Sequence, residues 1–385
     1  MLCLFAGVSR SLAAIDLPPL KITQRSERAL VPNHPDDPEP YLAFPALIDL
    51  GSEVLVSFKH GKSHGGSPGA TLDLVKIDRA TGRVTAPRAI ARFGDKIMQM
   101  GEWVKFPNGD LANYIDAQQV EKPARIGMLD VRSTDGGTTF GPVERVGVID
   151  GVEYGYPFCF TVEGNTTWMM AMSFSNLTGG YSIYAPRSEA GQVSMLRSED
   201  SGKSWKFVRD LTREFGGVPI NESSFVRCGS GFLVVTRGYD NIVRLHRTDG
   251  EFRVQQQTAL TDTYEFIRGY VGRPRLFVRD GRYYLIGRNW TEKANPRQAT
   301  SKDGGPAMPA AMKLCLFRLD LASVGVTAYA VLDNEAGGNV TDGYYPMPYF
   351  VERGGKSYLR VVDYKGVNRQ PPQIVEFEFL WDEVR

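Results

Sequence analysis

The sequence predicts an all-β protein, a six-bladed β-propeller of four-stranded antiparallel blades closed by its N-terminal strand. Three observations carry this. Hairpin-like units, each an apolar run, a Gly-centred turn and a second apolar run, open near Ala43, Glu102, Tyr156, Glu222, Arg273 and Tyr345. They recur at intervals of roughly 50–70 residues, the length of a hairpin plus a second strand pair. Two strand-like segments stand outside the units, Leu20–Leu30 (LKITQRSERAL) before them and Gln373–Leu380 (QIVEFEFL) after them. Pairing these would close the ring and remove its exposed edges. Composition agrees: 42% hydrophobic residues with 41 Gly and 23 Pro in 385 residues suit a turn-rich β protein with an ample core.

In chain order, Met1–Ala14 (MLCLFAGVSRSLAA) reads as the back half of a secretory signal peptide with a short or missing basic region. A merely apolar N-terminus fits the same residues. The first reading places the protein outside the cytoplasm, secreted or periplasmic, and sets residues 1–19 apart from a single propeller domain over 20–385. A net charge of +1 supplies no global field for nucleic acid or an anionic membrane. No later apolar run is long enough to span a bilayer. Cys3, Cys159, Cys228 and Cys315 lack metal-ligand spacing, so neither a metal nor another cofactor is expected; Cys159 and Cys228 read as small buried thiols.

The units then follow one another. The first is AFPALIDLGSEVLVSFKHG from Ala43, the second GEWVKFPNGDLANYIDAQ from Gly101, the third YPFCFTVEGNTTWMMAMSF from Tyr156. The fourth, NESSFVRCGSGFLVVTRGYD over Asn221–Asp240, is the clearest hairpin, with its turn at Gly229–Gly231. Antiparallel pairing brings the start of one strand beside the end of the next, so Glu222 and Arg237 share the end opposite that turn. GRPRLFVRDGRYYLIGRNW from Gly272 and YPMPYFVERGGKSYLRVVDYKG from Tyr345 complete the set.

Two segments between units are more specific. Ser133–Phe140 (STDGGTTF) and Ser198–Trp205 (SEDSGKSW) both fit Ser-x-Asp-x-Gly-x-Ser/Thr-aromatic. Such a turn uses Asp to accept backbone N–H bonds and Gly for a left-handed position. Weaker relatives stand at Ile77–Gly82, Arg247–Phe252 and Ser301–Gly305. These segments resemble the Asp-boxes, or BNR repeats, of the sialidase (neuraminidase) superfamily. The resemblance runs from about Tyr41 to the C-terminus and implies a six-bladed propeller whose Asp-boxes lie on the face away from the active site.

It also implies a site in which a tyrosine nucleophile is paired with a glutamate and three arginines grip a substrate carboxylate. Asn221-Glu222 with Arg237 resembles the segment supplying the glutamate and one arginine. Arg273 resembles a second arginine, with Arg275 on the same strand face as an alternative. Tyr345 matches the nucleophile position, with Tyr344 as its competitor. Two departures stand out. Where the family has an arginine two residues before a proline in blade one, this chain has Ala43. The loop expected to hold an aspartic acid/base offers His64 instead, with Lys62 just before it and Asp116 as a second candidate acid.

Strand order alone gathers a similar set. Starts of inner strands and ends of their neighbours converge on one face of a propeller. That face collects His60, Lys62, His64, Glu102, Asp116, Tyr156, Glu222, Arg237, Arg273, Asn289, Tyr345 and Asp363. Cations, carboxylates, tyrosines and histidines around a funnel suit an anionic sugar. Tyr345, Glu222, His64 and Asp116 are the catalytic candidates; Arg237, Arg273, Lys62, His60, Tyr156 and Glu102 are the substrate-binding ones. Blander readings exist for each: an ion pair for Glu222–Arg237, packing for the tyrosines, a solvated loop for His60 and His64. Three functions fit: a sialidase-like exo-acting, retaining glycoside hydrolase for a terminal carboxylate-bearing sugar; a lyase or hydrolase of uronate-containing glycans using His and Tyr; and a non-catalytic carbohydrate-binding propeller. An oligosaccharide or glycoconjugate is the expected partner in all three.

Overall fold

The computed structural model describes residues 17–34, 36–119, 124–173, 191–267, 271–290, 312–333 and 339–384. The signal-peptide-like Met1–Ala14 and the weaker Asp-box relative expected at Ser301–Gly305 lie outside the described residues. Six antiparallel sheets follow one another around a ring, giving the six-bladed propeller. Their inner strands are Tyr41–Asp49, Ile97–Lys105, Val152–Glu163, Ile220–Cys228, Gly272–Arg279 and, in the last blade, Val340–Gly343 with Met347–Arg353. Blades 1, 2, 4 and 5 have four strands each. Blade 3 adds a two-residue strand, Val148–Ile149, against its inner strand, and the inner strand of blade 6 is broken in two. Both refine the expectation of six uniform four-stranded blades.

Closure is as the sequence predicts. Thr23–Val31 pairs antiparallel with Gln373–Leu380, from Thr23↔Leu380 to Val31↔Ile374, and so forms the fourth strand of blade 6. Second strands lie between neighbouring blades and are covered on both faces; every residue of Gly231–Gly238 is buried. This explains the unbroken apolar run FLVVT where a one-sided sheet would alternate. Tight hairpins use left-handed pairs: Asp280–Gly281 (φ 51° and 71°) and Gly354–Gly355 (φ 59° and 72°), the twist-matched geometry of two-residue turns.

At the axis, every blade's inner strand carries an irregularity of register. The shifts fall at Ala43/Ala46, Met98/Met100, Tyr154/Tyr156 and Ile220/Ser223, then at Gly272/Arg275 and Val340/Asp342. A bulge turns a strand and re-aims its side chains, here toward the funnel. Three residues at these points, Phe44, Arg273 and Tyr344, hold left-handed backbones (φ 55°, 41° and 65°) that cost of order 1–3 kcal/mol each.

The opposite face is built from Asp-centred turns between third and fourth strands. Asp135 accepts from Ser133 Oγ (2.8 Å), Thr138 N (3.0 Å) and Thr139 Oγ1 (2.6 Å), while Gly137 N donates to Ser133 Oγ (2.8 Å). Asp200 repeats the pattern with Ser198, Ser204 and Gly202. Asp78, Asp249 and Asp320 anchor simpler turns at the same place in blades 1, 4 and 5. In each of these five turns a carbonyl accepts an arginine of the preceding blade. Arg28 reaches Gly82, Arg88 reaches Gly137, Arg132 reaches Gly202, Arg209 reaches Glu251 and Arg247 reaches Leu321. Register puts these turns level with the hairpin turns: Ser133 pairs Leu111 and Thr248 pairs Phe232. They therefore lie at the end of the blades remote from Glu222.

Candidate active site

Glu222 is the hub. Between Ile220 and Ser223 the strand skips register, and the bulge buries the Glu222 side chain at the axis, 2% exposed. One carboxylate oxygen accepts the hydroxyls of Tyr345 (2.5 Å) and Tyr156 (2.7 Å). The other accepts Arg237 Nη1 (2.5 Å) and the backbone N–H of Arg273 (2.9 Å). Burial alone would raise this carboxyl's pKa. The charges of Arg237 and Arg273, then the two hydroxyls, outweigh burial and push it down to about 2. Glu222 is therefore an anion with every lone pair directed at a donor. Tyr156 is pushed well above the usual phenol range by burial and by that anion, which keeps it a donor.

Beside the hub, Glu102 binds two guanidinium groups. Arg273 Nη2 lies 2.6 Å from its Oε2, and Arg275 spans both oxygens at 3.0 and 2.5 Å. Both arginines left open by the sequence therefore reach one carboxylate, and only Arg273 also touches Glu222. Asp116 is buried under Arg125 Nε (2.9 Å) and Gln118 Nε2 (3.0 Å), with burial pushing its pKa up against that cation. The Arg125 guanidinium lies 4.4 Å above the Tyr156 ring. Four guanidinium groups thus face three carboxylates, an arrangement that buried charge requires and that leaves one positive charge in excess.

The break in blade 6 sends Tyr345 and its competitor Tyr344 to different partners. Asp363 Oδ1 accepts the N–H groups of both Tyr345 (2.6 Å) and Tyr364 (2.8 Å), filling the gap in the ladder. The left-handed Tyr344 sends its hydroxyl to Asp333 (2.6 Å), while Tyr345 reaches Glu222.

A second cluster adjoins the first across the blade 1–blade 6 seam. His64 Nδ1 lies 2.8 Å from Tyr41 Oη and 3.3 Å from Asp342 Oδ2, and Tyr41 Oη donates to Asp342 Oδ2 (2.5 Å). Tyr364 donates to the other oxygen of Asp342 (3.1 Å). The Asp342 carboxyl, although raised by burial, ends below its usual range because His64 and the two hydroxyls favour the anion. The Phe44 ring stands between the clusters, 5.3 Å from Tyr345 and 4.9 Å from His64. A cavity of about 500 Å³ opens here, lined by Tyr41, Lys62, His64, Asp342, Arg369 and neighbouring residues. A smaller one, about 160 Å³, lies at the Asp200 turn on the remote face.

Two expected binding residues sit elsewhere than the funnel centre. His60 lies between Asp73 (2.9 Å) and Asp37 (3.1 Å), on the outer half of blade 1, because strand alternation turns it away from its neighbour Lys59. Lys62 lines the seam cavity and is exposed. The lysine at the centre is Lys59, the cross-strand partner of Ala43, where the family-like arginine is missing. It donates to Gln99 Oε1 (2.7 Å) and to the His64 carbonyl (3.0 Å); burial pushes it down to about 7 against the pull of Asp116 and Asp342. The open grip expected from Lys62, Arg237 and Arg273 is therefore not assembled: Glu222 and Glu102 already occupy the two guanidinium groups. Asp342, Tyr41, Lys59 and Arg125 were not singled out in the sequence; an acidic residue three positions before Tyr345, in DGYYPM, was the available signal for Asp342.

No family model and no curated protein matches the sequence. Solved structures do. A Dyadobacter fermentans protein of unknown function superposes with a TM-score of 0.66 at 16% identity, over 94% of this chain and 99% of that one. The Penicillium chrysogenum α-L-arabinanase complexed with arabinobiose gives 0.61 at 11% identity, over 94% and 100%. The Ruminococcus gnavus intramolecular trans-sialidase in complex with oseltamivir carboxylate gives 0.56 at 11%, over 90% and 96%. The chain thus has the six-bladed propeller fold that sialidases and an arabinanase share.

Proposed function

We propose that this protein is a glycoside hydrolase that removes a terminal carboxylate-bearing sugar with retention, using Tyr345 as nucleophile and Glu222 as its partner. The observation that carries the reading is the 2.5 Å contact of the Tyr345 hydroxyl with a buried, ionised Glu222. A neutral phenol is not repelled by a substrate carboxylate, and the surplus positive charge around the hub favours such a substrate. In the first step Tyr345 Oη bonds to the anomeric carbon and the glycosidic C–O bond breaks. The phenolic proton passes to Glu222, and a protonated His64 gives its proton to the leaving oxygen. Water then attacks the same carbon, His64 takes a proton from it, and Tyr345 departs with its own proton returned from Glu222. Because the charges of Arg237 and Arg273 stabilise the anion, Glu222 is a weak base, so its proton arrives as the bond to carbon forms and not earlier. Asp116, held under Arg125, is less suited than His64 to donate.

His64 beside an open cavity favours a second reading, a uronate lyase. There His64 Nε2 removes the proton next to the carboxylate, the C–O bond at the adjacent carbon breaks, and Tyr41 protonates the leaving oxygen. Tyr345→Phe tests the first reading on sialosides and uronate-containing oligosaccharides. Turnover is expected to fall about 10²–10⁴-fold with circular dichroism unchanged. Full turnover in that variant overturns the assignment, an unsaturated product absorbing in the ultraviolet supports the lyase, and saturable binding without turnover in the wild type leaves a carbohydrate-binding propeller.

A further inference from the structure

The wall of the seam cavity is held more firmly than a surface loop requires. His64 is about half exposed, yet its carbonyl accepts from the buried Lys59 (3.0 Å) and from Gln99 (2.8 Å), while its ring is fixed through Nδ1 by Tyr41 and Asp342. Three blades thus fix one loop residue, and no hydrogen bond engages its Nε2 among the described residues. Facing it, the turn Asn368–Arg369 holds two consecutive left-handed, non-glycine residues (φ 52° and 65°). They are the central pair of a β-turn closed by Gln370 N to the Val367 carbonyl (3.0 Å), a geometry Asn accepts readily, and the turn presents Arg369 at the cavity mouth. The turn is tied down by Asn368 N to the Asn339 carbonyl (2.8 Å) and Arg369 N to Thr341 Oγ1 (2.9 Å), and Pro371–Pro372 stiffen the chain on its way into the last strand. Across the mouth Lys62 N is fixed by Ser67 Oγ (2.6 Å).

We propose that this cavity is a second sugar subsite, which takes the residue on the leaving side of the cleaved bond through a carboxylate or sulfate group held by Lys62 and Arg369. Its volume, about 500 Å³, falls within the range of small-molecule sites. Two cations on rigid supports, against the one carboxylate among the described lining residues, which Tyr41 and Tyr364 already engage, give it a positive mouth. A planar guanidinium suits either anion through two parallel hydrogen bonds. The order Tyr345, Phe44, His64, cavity puts the subsite just beyond the acid that the hydrolase reading assigns; its position relative to the bond rests on that reading, and its affinity for an anionic sugar does not.

The test uses the full chain and uncleavable thio-linked disaccharides whose reducing-end sugar bears a carboxylate, a sulfate or neither, titrated by calorimetry. The carboxylate or sulfate disaccharide should bind more tightly than the neutral one, with affinity falling as salt is added. Lys62→Ala and Arg369→Ala should each weaken it about 10-fold, Arg369→Lys should recover part of the loss, and the neutral ligand should be indifferent to all three. The stronger of the two anionic ligands identifies the substituent. Equal binding of charged and neutral disaccharides, or charged binding unchanged in both alanine variants, overturns the subsite. An aryl monoglycoside of the terminal sugar has nothing to place there, so its cleavage by wild type tests the hydrolase reading separately from the subsite. If wild type cleaves no glycoside while anionic binding still depends on Lys62 and Arg369, the hydrolase reading falls and the subsite stands. Cleavage of the monoglycoside with indifferent binding gives the converse.

Discussion

At the scale of single residues, strand alternation decides which side chains are chemical and which are structural. Lys59 and His60 are adjacent, but one faces Gln99 at the axis and the other is clamped between two carboxylates. The hydrogen bond His60 donates to Asp73 raises its pKa to about 9; burial opposes it, and the charge of Asp73 and the hydrogen bond and charge of Asp37 add to it. With an unfolded value near 6.5, the protonated clamp stabilises the fold fully below about pH 6.5 and loses that contribution as pH rises through 9. The contribution is on the order of 1–3 kcal/mol. Urea midpoints of wild type and His60→Gln should therefore differ at pH 6 and converge by pH 10; a constant difference would show that the clamp is not a titrating pair. The sequence named the tyrosine and the glutamate because each opens an inner strand. It passed over Lys59, because which of the neighbours Lys59 and His60 faces the axis depends on how their strand pairs in the folded blade, which composition does not reveal.

Among elements, the repeated unit is the blade together with the arginine it lends to the next. Arg132 donates to the Ser201 and Gly202 carbonyls of blade 3 and to Tyr114 and Asp130 of its own blade. Arg132→Ala removes those bonds and leaves Tyr114 and two carbonyls short of a donor. Stability should fall by about 2–3 kcal/mol with an unchanged denaturant slope. A loss below about 0.5 kcal/mol would show that the link is ornamental. Six hairpins and two strong Asp-centred turns were legible because turn chemistry is local. The arginine partners were not, since each bonds to carbonyls, which carry no residue identity, tens of residues away. The Asp342–His64–Tyr41 cluster was hidden for a similar reason: it joins positions some 300 residues apart across the closing seam.

For the whole molecule, closure by Thr23–Val31 is what covers the edge of Gln373–Leu380 and supplies the outer strand of blade 6. Removing residues 1–31 would bare Gln373–Leu380, an apolar strand with unpaired backbone groups. Concentration-dependent association of the truncated chain on a sizing column is expected, and a stable monomer with native circular dichroism would contradict it. The same closure has a mechanical corollary. Since the fourth strand of blade 6 comes from the far end of the chain, that blade has no turn between third and fourth strands to receive an arginine. Trp381, packed on Phe277 and Tyr284 of blade 5, seals the junction in its place, beside the ion pair of Arg279 with the exposed Glu352. The forward-pointing links therefore form a string of five knots whose two ends meet between blades 5 and 6. Arg273 stands on one lip of that junction and Tyr345 on the other, and what laces the ring there is local: Arg288 of blade 5 donates to the Gly343 carbonyl of blade 6 (3.2 Å), beside the candidate site.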